Sequence, residues 1–462
     1  MKPLFLFGLL TVLGTAFFLI SLPNEVEVLP QTQLSAVSGQ LPDALPQIPE
    51  QKAPTTTLVA STATPSPLLN DLPNQPQLAN PPEVIKGIYV TGWTAGSASR
   101  MNRLIDLIKR TELNAVVVDI KDYSGYVSYR TGIAEVAATG AEGELRILQP
   151  NALIKKLHDA GIYIIARQTV FQDPILAKAH PEWALHDSTK LMTMTNDNDS
   201  NNRQWSSSSL WFDRKGLPWM DAAAKPVWDY NIAIAKNAIA RGFDEVNFDY
   251  IRFASDGNLN VIKYPFWQKT RTDADLTRTH AETKQEVIKS FFKYLRESLP
   301  GAKISADLFG LATLDTWDDL GIGQVIEDAY EYFDYIAPMV YPSHYAKGFS
   351  GYQKPAEYPY EVVKYSMDKA LGRLIATNKV VTGSMIVGTT TVEQFEYVPK
   401  FAAKLRPWLQ DFDLGATYDA QKVRAQIQAT DDALLGTPAH YNGWMLWDPA
   451  NNYTEGALES AR

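Results

Sequence analysis

Gly242-Phe243-Asp244-Glu245-Val246-Asn247-Phe248-Asp249-Tyr250-Ile251-Arg252-Phe253 reads as a strand that follows a helix and opens into polar residues. Alternation along a strand sends Asn247 and Asp249 to one face and Val246 and Phe248 to the other. If the apolar pair packs against helices, the polar pair faces inward. Asp249 then stands at the C-terminal end of its strand, where a (β/α)8 barrel carries its chemistry. The structural alternative is a helix cap, or a buried ion pair with Arg252.

Outward from this stretch the chain alternates short apolar runs with amphipathic ones. Strands are expected at Val84–Trp93, Ala115–Ile120, Ile162–Gln168, Glu245–Phe253, Ile304–Phe309, Tyr335–Tyr341, Val381–Val387 and Gly443–Trp447, with helix-like segments between them. Such alternation argues for parallel βαβ units. Eight of them predict an α/β fold of the (β/α)8 TIM-barrel class. The long interval after the third strand, Gln168 to Ala224, predicts an enlarged loop on the barrel's top face. It carries His180-Pro181-Glu182-Trp183 and a polar run from Thr193 to Ser209, with Trp211, Trp219 and Trp228 close behind that run. Aromatic planes there suit the apolar face of a sugar ring, and equally suit holding the loop down.

With 45% apolar and 21% charged residues among 462, the composition is that of a globular protein with a sizeable core. The net charge is −9 and no basic run occurs, which disfavours nucleic acid and anionic membrane surfaces as partners. The absence of cysteine excludes disulfides, thiolate metal sites and a cysteine nucleophile. No His-x-x-x-His, Gly-x-Ser-x-Gly or P-loop pattern is present. Asp197-x-Asp199-x-Asn201 opens like a calcium loop but lacks the glycine and glutamate that would complete it. No metal or cofactor is expected.

Three regions follow. Residues 1–22 hold Lys2 and an uncharged apolar run from Leu4 to Leu22, expected to be a signal anchor or a cleaved signal peptide. Residues 23–83, rich in Pro, Gln, Thr and Ser, are expected to be a disordered tether. Residues 84–462 form the barrel. This places the protein in the cell envelope on the exported side of the membrane, or secreted, with membrane contact through the N-terminal segment alone.

Polar side chains gather at the expected C-terminal strand ends: Trp93, Asp119, Lys121, Arg167, Asn247, Asp249, Arg252, Asp307, Tyr341, His344, Trp447 and Asp448. Converging carboxylates cost electrostatic energy that cations, hydrogen bonds or protonation must offset, which is how acid and base pKa values are set apart. Glycoside hydrolysis uses such a pair. Asp249 as nucleophile and Asp307 as acid/base, on neighbouring strands, are the expected catalytic residues. The others are expected to contact substrate, and Asp119 or Asp448 are alternatives acting across the barrel.

Several motifs together resemble a bacterial family of glycoside hydrolase domains. They are the stretch Gly242 to Phe253, Lys86-Gly87-Ile88-Tyr89-Val90-Thr91-Gly92-Trp93, Val117-Val118-Asp119-Ile120-Lys121-Asp122, His180-Pro181-Glu182-Trp183, Ala337-Pro338-Met339-Val340-Tyr341-Pro342-Ser343-His344-Tyr345 and Gly443-Trp444-Met445-Leu446-Trp447-Asp448-Pro449. The resemblance implies a TIM-barrel glycosidase. Ala254 departs from the family's usual proline after Phe253 and is expected to alter only the loop's exit. The functional expectation is an exported, membrane-tethered hydrolase of an envelope or extracellular polysaccharide. A non-catalytic carbohydrate-binding barrel and a non-hydrolytic carbohydrate-active enzyme are the alternatives.

Overall fold

A computed structural model of the chain describes residues 71–194, 205–267, 282–318, 320–387 and 390–461. Residues 1–22, the tether up to residue 70 and the Asp197–Asn201 run lie outside the described residues. No described helix is long and apolar enough to cross a membrane.

Eight parallel staves form a closed barrel. In chain order they are β1 (Ile85–Val90), β2 (Ala115–Lys121), β3 (Tyr163–Thr169), β4 (Glu245–Asp249), β5 (Ile304–Phe309), β6 (Tyr335–Met339), β7 (Trp408–Gln410, preceded by the short strand Lys404–Leu405) and β8 (Gly443–Trp447). Each pairs with the next, and β8 pairs with β1 through Ile85↔Gly443 and Ile88↔Leu446. Helices Ala98–Arg110, Pro150–Asp159, Lys225–Arg241, Lys284–Ser298, Ile326–Tyr332, Pro359–Leu374 and Ala420–Leu434 fill the crossovers.

Local sequence accounts for these elements. In Ala98–Arg110 the buried Met101, Leu104, Ile105 and Ile108 recur at helical spacing, and the Ser97 hydroxyl caps the first turn. Thr283 and Glu286 form a reciprocal capping box at the start of Lys284–Ser298. Gly242 ends Lys225–Arg241 at φ 108°, a left-handed conformation open to glycine, and so turns the chain into β4. Outward residues such as Val116, Val118, Ile164, Val246 and Phe248 join the helices in the main core. Inward residues including Ile85, Tyr89, Val117, Tyr163, Ile165 and Trp408 fill the barrel.

The seventh stave differs from the expected one. Thr377–Val387 pairs antiparallel with Thr390–Pro399 in a separate two-stranded hairpin. The barrel position goes instead to Lys404–Leu405 and Trp408–Gln410. Pro407 lies between those two pieces and removes a ladder donor, which hides the stave from a strand pattern. The Val381–Val387 run has strand character, but local pattern does not choose its partner.

Residues 71–83, assigned to the tether by composition, lie against the bottom of the barrel. The Leu78 N–H donates to Asp244 Oδ1 at 2.6 Å, and the Leu78 side chain packs on the interior cluster. Asp71 accepts from the Asn151 and Ala152 N–H groups at the start of Pro150–Asp159.

Above this plug lies a fully buried ion pair. Arg406 from β7 donates to both oxygens of Glu245 on β4 and to Asn442 Oδ1 at 3.0 Å. The Ser305 hydroxyl also donates to Glu245. Removing one partner of such a pair strands the other charge, at a cost of about 3–5 kcal/mol. Arg406→Met is therefore expected to lower unfolding free energy by about that amount in denaturant titrations. The double variant Arg406→Met/Glu245→Gln should recover most of the loss, and equal instability of the two would refute the coupling.

Candidate active site

The barrel's top end opens into a cavity of about 400 Å³. Its walls include Tyr89, Asp119, Arg167, Asp249, Arg252, Asp307, Tyr341, Trp408 and Trp447. At its floor the Arg167 guanidinium faces three aspartates from three other staves. Nη1 meets Asp119 Oδ1 at 2.5 Å, Nη2 pairs with Asp249 Oδ2, and Nε lies 3.6 Å from Asp307 Oδ2. The cation also lies over the Trp447 and Tyr89 rings, 4.9 and 5.7 Å from their centroids. Those two rings stack on each other at 3.7 Å.

Register explains the convergence. Phe248 pairs with Ala306, so the next inward positions, Asp249 and Asp307, are side by side on β4 and β5. Asn247 lies one layer below and donates to Asp307 Oδ1 at 2.8 Å, and Trp408 Nε1 donates to the same oxygen at 2.7 Å. Asp307 Oδ2 is buried without a hydrogen-bond partner. Burial, then the charge of Asp249, pushes the Asp307 carboxyl up to about 8, so it holds a proton at neutral pH. Burial also raises Asp119 to about 6 against the opposing pull of Arg167. The Tyr89 hydroxyl donates to Asp119 Oδ2 at 2.5 Å.

Beyond Asp249 the backbone is strained. Tyr250 sits at φ 52°, a left-handed conformation that costs a non-glycine residue about 1 kcal/mol or more. The turn points its N–H at Asp249 Oδ1, 2.6 Å away, and brings Tyr250 into the cavity wall.

Of the residues expected from sequence, Asp119, Arg167, Asp249, Arg252, Asp307, Tyr341 and Trp447 line the cavity, and Asn247 supports Asp307 from beneath. Four are placed elsewhere. Lys121 is fully buried outside the barrel, 2.7 Å from Asp173 and bonded to Thr169 O and Asn231 Oδ1. A bulge between Asp119 and Lys121 reverses the alternation there, so the lysine faces the helices and not the cavity. Trp93 is exposed, under the Arg146 guanidinium, and is not part of the wall. His344 packs behind Tyr341 and Phe412, where burial lowers its pKa to about 4 and keeps it neutral. Asp448 accepts the Asn452 N–H in the turn after β8, while Pro449 reaches the cavity.

Sequence reading overlooked Tyr89, Tyr123, Gln172, Tyr250, Phe309, Met339 and Trp408 as lining residues. Tyr89 was accessible through alternation, two positions before Thr91. Trp408 was lost with its stave. Trp211 in the enlarged loop and Trp228 in the helix that follows it are buried and donate to Asn258 O and Ala222 O, so they hold the structure together.

The chain is similar to several solved structures. A solved structure of a hypothetical protein from Ruminiclostridium thermocellum is 36% identical over 48% of this chain and 96% of its own, with a TM-score of 0.38. The glycoside hydrolase domain of PgaB (BpsB) from Bordetella bronchiseptica is 13% identical over 81% of this chain and 99% of its own, with a TM-score of 0.48. That of PelA from Pseudomonas aeruginosa is 9% identical over 82% and 98%, with a TM-score of 0.34. No curated protein matches the chain. Residues 87–453, nearly the whole barrel, match the family described as "Putative glycosyl hydrolase domain", and the chain belongs to that family.

Proposed function

We propose that the protein hydrolyses a glycosidic bond in an envelope or extracellular polysaccharide, with Asp249 as nucleophile and Asp307 as acid/base. The observation that carries this reading is the unequal state of two neighbouring carboxyl groups. Asp307 is buried, protonated and holds an unpartnered oxygen, while Asp249 is ion-paired to Arg167. Groups on adjacent staves stand about 4.8 Å apart at Cα. That favours the close spacing of retaining enzymes, about 5–5.5 Å between carboxyl groups.

In this mechanism Asp307 gives its proton to the leaving oxygen as Asp249 Oδ attacks the anomeric carbon. The bond to the leaving group breaks and a glycosyl ester forms on Asp249. Esterification removes the negative charge that helps to raise the Asp307 pKa. The freed carboxylate is thereby suited to take a proton from water, which cleaves the ester and restores both groups. The aromatic walls, Tyr89, Tyr341, Trp408 and Trp447, supply faces on which a sugar ring can rest.

The apolar run in residues 1–22 supports export, and the proline-rich segment after it would hold the barrel away from the membrane. Fractionation of cells carrying the full-length chain tests this, and recovery of the intact chain in the cytoplasm would remove it.

Incubating the full-length chain with a polysaccharide panel should release new reducing ends. Asp307→Asn is expected to lower that rate by about 10²–10⁴-fold, and Asp249→Asn by at least as much. Unchanged product release from both variants eliminates the assignment, and glycan binding with no product favours the carbohydrate-binding alternative.

The rate should fall as pH rises through about 8, where Asp307 loses the proton it must donate. Asp249→Asn removes a neighbouring negative charge, so it should move the Asp307 titration downward in carboxyl-resolved NMR. An unmoved titration would disconnect the two groups.

A further inference from the structure

Among the described residues, five lysine or arginine side chains are buried: Lys121, Arg146, Arg167, Arg252 and Arg406. Four have carboxylate partners. Lys121 pairs with Asp173, Arg146 with Asp122 and Glu144, Arg167 with the three cavity aspartates, and Arg406 with Glu245. Arg252 is 6% exposed, yet no described carboxylate lies within ion-pair distance of it.

Its setting is built. The guanidinium lies over Trp219 and Phe309, each at 4.8 Å, and over Tyr250 at 5.3 Å. Nη1 donates to Phe253 O and Ser255 Oγ, both at 3.0 Å. Nε and Nη2 have no hydrogen-bond partner among the described residues, and Arg252 lines the cavity. Trp219 is itself fixed, its Nε1 donating to Asp213 Oδ2 at 2.9 Å. The Asp213 oxygens are taken up by Gln172, Trp219 and the Lys215 and Leu217 N–H groups, so none is left to serve Arg252.

A dry cation is costly unless paired, and stacking on rings compensates it in part. Asp249, Asp256 and Asp213 act on the guanidinium only from beyond ion-pair distance, and its free edge belongs to a residue that lines the cavity, so a direct counter-charge would come from what enters there. We propose that Arg252 binds a carboxylate carried by the substrate, which makes the substrate an acidic glycan containing hexuronate residues. The free Nε/Nη2 edge matches a carboxylate in bidentate fashion. Lys215 adds a second positive charge to the same wall. With Asp307 protonated, the cavity holds three cations against two carboxylates, although the whole chain is strongly acidic.

The inference rests on the glycan reading above and deepens it, and the two can fail separately. The full-length chain is titrated with polygalacturonate, alginate and hyaluronan, with the carboxyl-reduced form of each, and with dextran sulfate. Binding and reducing-end release are both recorded. At least one uronate polymer should bind ten-fold or more tightly than its carboxyl-reduced form, with the preference fading as salt rises. Arg252→Gln should abolish the preference, and Arg252→Lys, which keeps the charge without the fork, should restore part of it. Thermal melts of both variants identify a folding defect, and the lysine variant keeps the comparison valid if the glutamine variant unfolds. Equal binding of acidic and reduced polymers, or binding of dextran sulfate alone, overturns the carboxylate assignment. Hydrolysis of a neutral glycan by wild type and Arg252→Gln alike overturns the inference and leaves the hydrolase reading intact. Acid-selective binding without hydrolysis does the reverse.

Discussion

One guanidinium holds the top of this barrel together. Arg167 projects from β3 into a space where β2, β4 and β5 each deliver an aspartate. Three ionised carboxylates in that volume would repel one another and lose their water, a combination the interior does not tolerate without a cation. Arg167 meets Asp119 and Asp249 directly and Asp307 at longer range. Burial first and then the charge of Asp249 keep the proton on Asp307, and the longer contact with Arg167 offsets them only in part. Structure and chemistry thus share one charge, since the residue that permits the cluster also separates an acid from a carboxylate.

A second ion pair, Arg406 with Glu245, occupies the layer below. Apolar side chains such as Val117 and Trp408 fill the interior beside a hydrogen-bonded run that joins the two layers, from Glu245 through Ser305 and Asn247 to Asp307. The lower pair has every charged partner inside the protein and no opening to the cavity wall. The upper layer has an orphan oxygen, a strained Tyr250 and an opening of about 400 Å³. An unpartnered carboxyl oxygen beside an open cavity stands at the end of the barrel where such folds place their sites.

The enlarged loop after β3 contributes a wall more than a platform. Its buried tryptophans are hydrogen-bonded into the scaffold, and Asp213 gathers four donors to fix the rim beneath Arg252. Its strand His186–Asp187 pairs with Ile262–Lys263 from the loop after β4, so the two loops brace each other. That arrangement sets Trp219 under a guanidinium, where the sequence left sugar stacking and holding the loop down equally open.

The amino-acid sequence alone determined the class of fold, seven of the eight staves and the inward placement of Asn247, Asp249, Asp119, Arg167 and Asp307. These follow from period-two alternation and from apolar runs long enough to be read locally. Only the tertiary structure decided the rest. It showed that Pro407 divides a genuine stave, that a one-residue bulge turns Lys121 away from the cavity, and that residues 71–83 close the barrel's base. It also decided which charges are compensated, because ion pairing joins residues scores of positions apart. No window of sequence reveals that Arg167 has three carboxylates while Arg252 has none.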